Sequence, residues 1–373
     1  MTSYSAEAVF DGERIRRGVV LRVKNGTIVE LGSGAADADL GPGIIAPGFV
    51  DLQVNGGGGV MLGDAPTENT LRRMADAHAA LGATTILPTL ISDTIEVTRR
   101  TLEVAQHTCG HVPGILGLHL EGPHLAPAKA GAHRRDRLRP MDASDLDVLV
   151  AAAGELPVLM VTLAPEMVQP QQIAALTKAG VIVALGHSEA SFEEAQAAIA
   201  AGARVATHLF NAMNPLASRS PGLVGAALVS GEVSAGLIAD GVHVDPAAMA
   251  VALAAKQGPG RIFLVSDAMA PAGTDLSGFG LQGRWIARKA GRLTTEDGTL
   301  AGADLDLPRA VQTVRKLGVA EGAALAMASS VPADVAGIGD RAGRLDAGRA
   351  ADFVHLGPDG RLSGVWRGGR RIV

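Results

Sequence analysis

Four residues define the chemistry this chain can do: Glu121, His187, His208 and Asp267. Each ends a short apolar run: Leu118-His119-Leu120-Glu121, Ala184-Leu185-Gly186-His187, Ala206-Thr207-His208 and Val265-Ser266-Asp267. A carboxylate with two imidazoles is the usual ligand set of a catalytic zinc that keeps a water in its open position. The competing reading is three hydrogen-bonded polar residues capping strands, which is the commoner state of any one histidine taken alone. Recurrence at equivalent strand ends favours the metal. Asp267 is then the candidate general base and acid, because a carboxylate beside a metal-held water can take its proton and pass it to a leaving nitrogen. Its alternative role is to cap the following turn.

The elements that must position these residues repeat one pattern: an apolar run, a turn, then an Ala- and Leu-rich helical stretch. The runs cover 44–54, 84–90, 115–120, 158–163, 181–185, 205–210, 233–239 and 261–266, eight in all. Segments 67–81, 93–107, 144–154, 169–179, 192–201 and 246–256 between them are long enough for helices. Eight alternating β and α units predict a parallel (β/α)8 TIM-like barrel of the α/β class, with a doubly wound open sheet as the competing arrangement. In a barrel the chemistry sits at the carboxyl ends of the strands. His119, His124, Asp240, His243 and the Asn211-Ala212-Met213 turn fall on that same rim, so five of the ten histidines collect there. The Asn55-Gly56-Gly57-Gly58-Gly59 run adds backbone N–H groups, although a glycine run alone is equally a flexible loop.

Both chain ends read differently. Residues 8–10, 19–23 and 27–29, with an Asn25-Gly26 turn, look like hairpin strands, as do 351–356, 364–366 and 371–373 with a Pro358-Asp359-Gly360 turn. The termini are expected to pair into one small β-sandwich domain, 1–45 plus 345–373, flanking a catalytic barrel over 46–344. Segment 280–299 reads as a hairpin insertion after the eighth strand, and 308–317 and 321–329 as closing helices.

Composition narrows the functions. Hydrophobic residues make up 47% and charged residues 19% of 373, which suits a large α/β core. Aromatics are 3%, too few for a base-stacking platform, and a net charge of −5 without a Lys/Arg block argues against nucleic acid as partner. No stretch reaches the apolar length of a membrane span, and the N-terminus has no basic segment leading into an apolar run, so neither membrane nor signal peptide is expected. Cys109 is the single cysteine, which excludes an intrachain disulfide and fits a cytoplasmic location.

Several motifs together carry a resemblance. Pro47-Gly48-Phe49-Val50-Asp51 and Gly343-Arg344-Leu345-Asp346-Ala347-Gly348 resemble the amidohydrolase superfamily. Within it, the chain resembles the N-acetylglucosamine-6-phosphate deacetylase family. The motifs are His119-Leu120-Glu121-Gly122-Pro123, Gly186-His187-Ser188, Thr207-His208-Leu209-Phe210-Asn211-Ala212-Met213, Ala239-Asp240-Gly241-Val242-His243 and Ser266-Asp267-Ala268-Met269-Ala270-Pro271. The match runs in order from about residue 44 onward.

The resemblance implies that Glu121, His187 and His208 hold one divalent metal ion, zinc by default, with iron, manganese or cobalt as other occupants. It implies proton transfer by Asp267, with the metal-activated water as nucleophile on an acetamide. Ala132 and His133 would meet the sugar and its scissile carbonyl, and Leu300-Ala301-Gly302 would be a further substrate-contacting loop. Asn211, Ala212, His243 and Arg219 would form the phosphate site, with Asp240 also binding substrate. Arg219 is expected to reach the neighbouring active site of a homodimer. Many amidohydrolases carry a His-x-His pair on strand one that binds a second metal; here Gln53-Val54-Asn55 stands in its place, so a one-metal centre is expected. The alternatives are a deacetylase for another hexosamine phosphate, such as N-acetylgalactosamine 6-phosphate, or a non-catalytic amidohydrolase-like binding protein.

Overall fold

A computed structural model describes all 373 residues. Eight strands form one parallel sheet in consecutive order: β1 (Val50–Val54), β2 (Thr85–Ile91), β3 (Leu118–Glu121), β4 (Leu159–Leu163), β5 (Ile182–Leu185), β6 (Val205–Ala206), β7 (Ser234–Leu237) and β8 (Ile262–Leu264). The barrel closes by a parallel bridge from Val54 to Ala268, backed by the Asp267 N–H on the Gln53 carbonyl at 3.1 Å. Every residue of β1 to β4 is buried, and an apolar cluster of 81 residues fills the barrel and the space beneath its helices. The expected (β/α)8 barrel is therefore present.

The termini do pair into a small β-sandwich. One sheet has four strands drawn from the first forty residues, in the order Thr27–Gly32, Val20–Lys24, Thr2–Ser5, Ala38–Asp39. The other has six, and in it the C-terminal strand Phe353–Leu356 lies antiparallel to Ile44–Pro47. Tyr4, Phe353 and Trp366 fill the space between them, the last two stacked at 4.6 Å.

Three details differ from the sequence reading. The run 44–54 is two strands, not one: Ile44–Pro47 belongs to the small sheet and β1 begins at Val50. Pro47 has no N–H to continue a ladder, and the chain changes sheets there. Helix Gly222–Val229 was not anticipated. Seven of its eight residues are buried, so no amphipathic period marks it. The insertion after β8 is larger than a hairpin. It is a four-stranded antiparallel sheet of β9 (Gly278–Leu281), β10 (Arg284–Lys289), β11 (Arg292–Thr294) and β12 (Leu300–Ala303), beside the barrel mouth.

Candidate metal centre and active site

His119 and Glu121 alternate on β3, so both point into the barrel, one layer apart. His119 is satisfied there, its Nε2 2.8 Å from Thr162 Oγ1 and its Nδ1 3.1 Å from the Leu52 carbonyl. Burial lowers it to about 4, so it is a neutral packing residue beneath the site. Glu121, one layer up, meets three imidazoles. Its Oε1 lies 3.0 Å from His208 Nε2 and 3.3 Å from His187 Nε2, and its Oε2 3.7 Å from His133 Nε2. Burial alone would raise this carboxyl, but the imidazoles gathered around it hold it well below the usual range.

The local backbone explains how strand ends reach this point. Gly186 precedes His187, and a Cβ there would stand 2.2 Å from Thr207 Cγ2, so only glycine lets β5 and β6 approach so closely. His187, Phe210, Ala212 and Asp267 all take positive φ, between 47° and 77°. Such conformations cost roughly 1–3 kcal/mol each in residues other than glycine. Here they bend the chain out of the barrel wall at strand ends, which is why the run 205–210 is strand only over Val205–Ala206.

Ring tautomers separate the three imidazoles. His187 Nδ1 lies 2.8 Å from the Lys129 carbonyl and must donate to it, leaving a bare lone pair on Nε2. That Nε2 lies 3.0 Å from His208 Nε2. His133 is the reverse: the Ser92 backbone N–H points at its Nδ1 from 3.2 Å, which puts the ring proton on Nε2. Glu121, His133 and His187 also bring ligand atoms within 4.8 Å of one another. A protonated nitrogen cannot ligate a cation; His133 Nδ1 is held by the Ser92 N–H, whereas His208 Nδ1 has no partner, so the His208 ring can shift its proton there and Glu121, His187 and His208 could hold a divalent ion. Burial lowers His133 to about 4, so it is a neutral donor at pH 7.

Asp267 faces the same cavity, buried and pushed up to about 6, by burial first and the Glu121 charge second. The Gln53-Val54-Asn55 segment feeds it donors: Asn55 Nδ2 at 2.7 Å and Gln53 Nε2 at 3.3 Å. Gln53 Nε2 is also 2.9 Å from Glu121 Oε1, and Thr207 Oγ1 donates to Gln53 Oε1 at 2.8 Å. Two neutral amides thus stand where a second metal would need imidazoles, and they tie the two carboxylates together.

A cavity of about 350 Å³ collects Ala132, His133, Asn211, Ala212, His243, Leu300 and Gly302 around Glu121, His187, His208 and Asp267. Asp240 does not line it. Its Oδ2 holds His243 Nδ1 at 2.7 Å, and its Oδ1 accepts the Val242 and His243 N–H groups, so it acts by fixing that ring. Ala301 is fully buried in an apolar cluster below the cavity. Arg219 is exposed and lies outside the cavity of its own chain. Sequence reasoning gave no role to Ser92, which orients His133, or to Lys129, which lines the cavity. Lys129 lies just before Ala132 and His133 in the sequence; nothing local marks Ser92.

With the fold and the centre in view, the chain belongs to the amidohydrolase family, whose model matches residues 44–372. Within it, the chain groups with the N-acetylhexosamine-6-phosphate deacetylases. It is 40% identical to the N-acetylgalactosamine-6-phosphate deacetylase of Shewanella sp. (strain ANA-3), over 100% of this chain and 92% of the relative. It is 34% identical to the N-acetylglucosamine-6-phosphate deacetylase of Haemophilus influenzae, over 90% of this chain and 88% of the relative. Among solved structures it is similar to the N-acetyl-D-glucosamine-6-phosphate deacetylase of Mycobacterium smegmatis, a variant of which was solved with N-acetyl-D-glucosamine 6-phosphate. The TM-score is 0.92 at 34% identity, covering 100% of this chain and 99% of that one. The family expected from the motifs is the family found.

Proposed function

We propose that this chain hydrolyses the acetamido group of N-acetyl-D-glucosamine 6-phosphate, releasing acetate and D-glucosamine 6-phosphate. The observation that carries the reading is the convergence of Glu121, His187 and His208 on one point with Asp267 facing the same cavity. Those three residues would hold a single divalent ion, zinc by ligand type, with iron, manganese or cobalt also compatible. When bound, such an ion supplies Lewis acidity and makes water more acidic than in bulk.

The chain's own groups do the rest. Asp267, as carboxylate, takes a proton from the attacking water while the new C–O bond forms. Its hydrogen bonds from Asn55 and Gln53 fix the direction of that carboxylate. His133 Nε2–H donates to the acetamide oxygen as negative charge builds there, a contribution often worth a few kcal/mol. Asp267 then gives the proton to the nitrogen as the C–N bond breaks. At the far side, His243, Asn211, the Ala212 backbone and Lys129 offer donors for the phosphate, while Leu300 and Gly302 border the sugar. Arg219 would complete the phosphate site of a neighbouring chain in a homodimer, a planar fork suited to two phosphate oxygens.

A second reading, N-acetylgalactosamine 6-phosphate as substrate, is favoured by the 40% identity to the Shewanella enzyme of that activity. The two sugars differ at one hydroxyl. The test is acetate release from both phosphates by metal-loaded protein and by Asp267→Asn, with bound metal counted. The reading expects about one ion per chain in both proteins and a loss of roughly 10²–10⁴-fold in kcat for the variant. A metal-free wild type that folds and releases no acetate would overturn it.

A further inference from the structure

We infer that the mouth of the active site carries a second, outer sugar-binding subsite built on Trp285, so that the chain accepts N-acetylhexosamine 6-phosphates bearing a further sugar ring. This rests on the deacetylase reading above and extends it to a substrate class. A vestibule of about 850 Å³ opens beside the 350 Å³ active-site cavity and shares Gly131, His133 and Thr299 with it. The inner space suits one monosaccharide phosphate, and the outer one lies within the usual range for a small-molecule site.

Aromatic residues are 3% of this chain and it has two tryptophans. Trp366 is buried in the small domain, whereas Trp285 is 56% exposed and lines the vestibule. Its ring lies against β9: a Cβ at Gly278 would stand 2.6 Å from Trp285 Cζ2, and the cross-strand partner Gly280 has no side chain. The absence of a side chain at Gly278 thus lets the indole lie close against β9, while more than half of the residue stays exposed. An aromatic plate of this kind binds the apolar C–H face of a sugar, while polar groups around it take the hydroxyls.

Such groups are present. Across the vestibule Arg134 and Asp136 form a planar pair, Nε to Oδ1 2.9 Å and Nη2 to Oδ2 2.6 Å. The pair is about half exposed, at 42% and 56%. Glu296 and Asp297 border the other side. Cations and anions balance here, which suits a neutral sugar rather than a polyanion.

The vestibule is also fastened to the chemistry. Arg284, next to Trp285, donates to the Ala132 carbonyl beside His133, and Gln282 Nε2 reaches the Ser92 carbonyl at 3.0 Å. A ring held at C2 by the centre and at C6 by the phosphate site has two free edges, C1 and C3/C4. A glycosidic neighbour on one of them would enter the outer space.

The test uses the metal-loaded protein and three substrates: N-acetylglucosamine 6-phosphate, the same sugar with a β-glucosyl group at O4, and the same with one at C1. The wild type is expected to deacetylate at least one disaccharide with kcat/KM no lower than the monosaccharide. In Trp285→Ala the disaccharide-to-monosaccharide ratio of kcat/KM is expected to fall roughly five- to tenfold, the size of one aromatic stacking contact. Trp285→Phe restores most of it. A variant that merely folds poorly lowers both rates and leaves the ratio unchanged.

A second readout needs no turnover: on the metal-free protein the favoured disaccharide shifts Trp285 emission to the blue and the monosaccharide does not. If acetate is released from none of the three but this selective shift is seen, the catalytic reading fails and the subsite stands. An unchanged ratio overturns the subsite, as does refusal of both disaccharides with no selective shift. So does a change of oligomeric state in Trp285→Ala with the ratio unmoved, which would make the indole a contact between copies.

Discussion

Asn55 Nδ2 stands 2.7 Å from Asp267 Oδ1, although 212 residues separate them in the chain. That contact stabilises the ionised carboxylate in a site whose burial works against it. Removing it leaves burial and the Glu121 charge less opposed, so the carboxyl rises further. The proposed base must be ionised, so activity falls as pH drops through its pKa. The acid limb of kcat/KM is expected at or below about 6, since a bound cation lowers it further. In Asn55→Leu the limb moves up by about half a unit or more. A limb that stays put in a folded, metal-loaded variant would remove Asn55 from this role.

His133 and Ser92 make a second pair with a readable division of labour. His133→Ala removes the proposed donor to the carbonyl oxygen and is expected to lower kcat by roughly 10²–10³-fold with little change in KM. Ser92→Ala deletes the 2.8 Å hydroxyl contact but keeps the backbone N–H that sets the tautomer, so its loss is expected near tenfold. Steady-state kinetics on the two variants measure this ordering. Equal losses in both would mean that the hydroxyl, not the amide, fixes the ring.

Stripping the protein with a chelator tests the metal separately from the chemistry. A barrel with an 81-residue apolar core stays folded, but it loses the stabilisation of a bound ion, about 2.7 kcal/mol at a hundredfold excess over Kd. Tm is expected to drop on chelation and recover with one added equivalent of zinc. Glu121→Ala is expected to lack that recovery. An identical Tm in stripped and loaded protein argues against the three-residue centre.

Asp51 gives a stability prediction. It is fully buried on β1, and burial pushes its carboxyl to about 7, against hydrogen bonds from the Ser266 and Gln53 N–H groups. The unfolded group titrates near 4. Between those values the folded chain holds a proton that the unfolded chain releases, so this residue's contribution to stability falls as pH rises from about 4 to about 7. An asparagine at this position would keep an oxygen for both N–H groups without titrating. Asp51→Asn is therefore expected to raise Tm relative to wild type at pH 8, with the gain shrinking by pH 5. Melting curves at the two pH values decide it, and a constant difference would refute the linkage.

The barrel and the polar residues at its mouth were legible in the sequence because both follow periodic rules. Apolar runs recur, and Glu121, His187 and His208 fall at their ends. What was not legible depends on contacts distant in sequence. Gln53 was read only as a missing ligand, whereas its amide bridges Glu121 and Asp267, 68 and 214 residues away. Ser92 has no local signal at all. Asp240 was expected to bind substrate, but its side chain holds His243, a distinction that needs side-chain direction rather than spacing. Trp285 lay in a segment read as a plain hairpin, and nothing in its neighbours said that Gly278 supports its ring beside the cavity.

The closure of the barrel between β1 and β8 has a consequence for biosynthesis. Asp267 and its partners Gln53 and Asn55 meet across that seam, so more than two hundred residues must be translated before the pair exists. The small sheet likewise waits for Phe353–Leu356 before Ile44–Pro47 has its partner. A nascent chain emerging from the ribosome carries Glu121, the proposed metal ligand, early and Asp267, the proposed proton carrier, late. Activity therefore arrives only with near-complete synthesis, and C-terminal truncation fragments are inert however well their first strands have condensed.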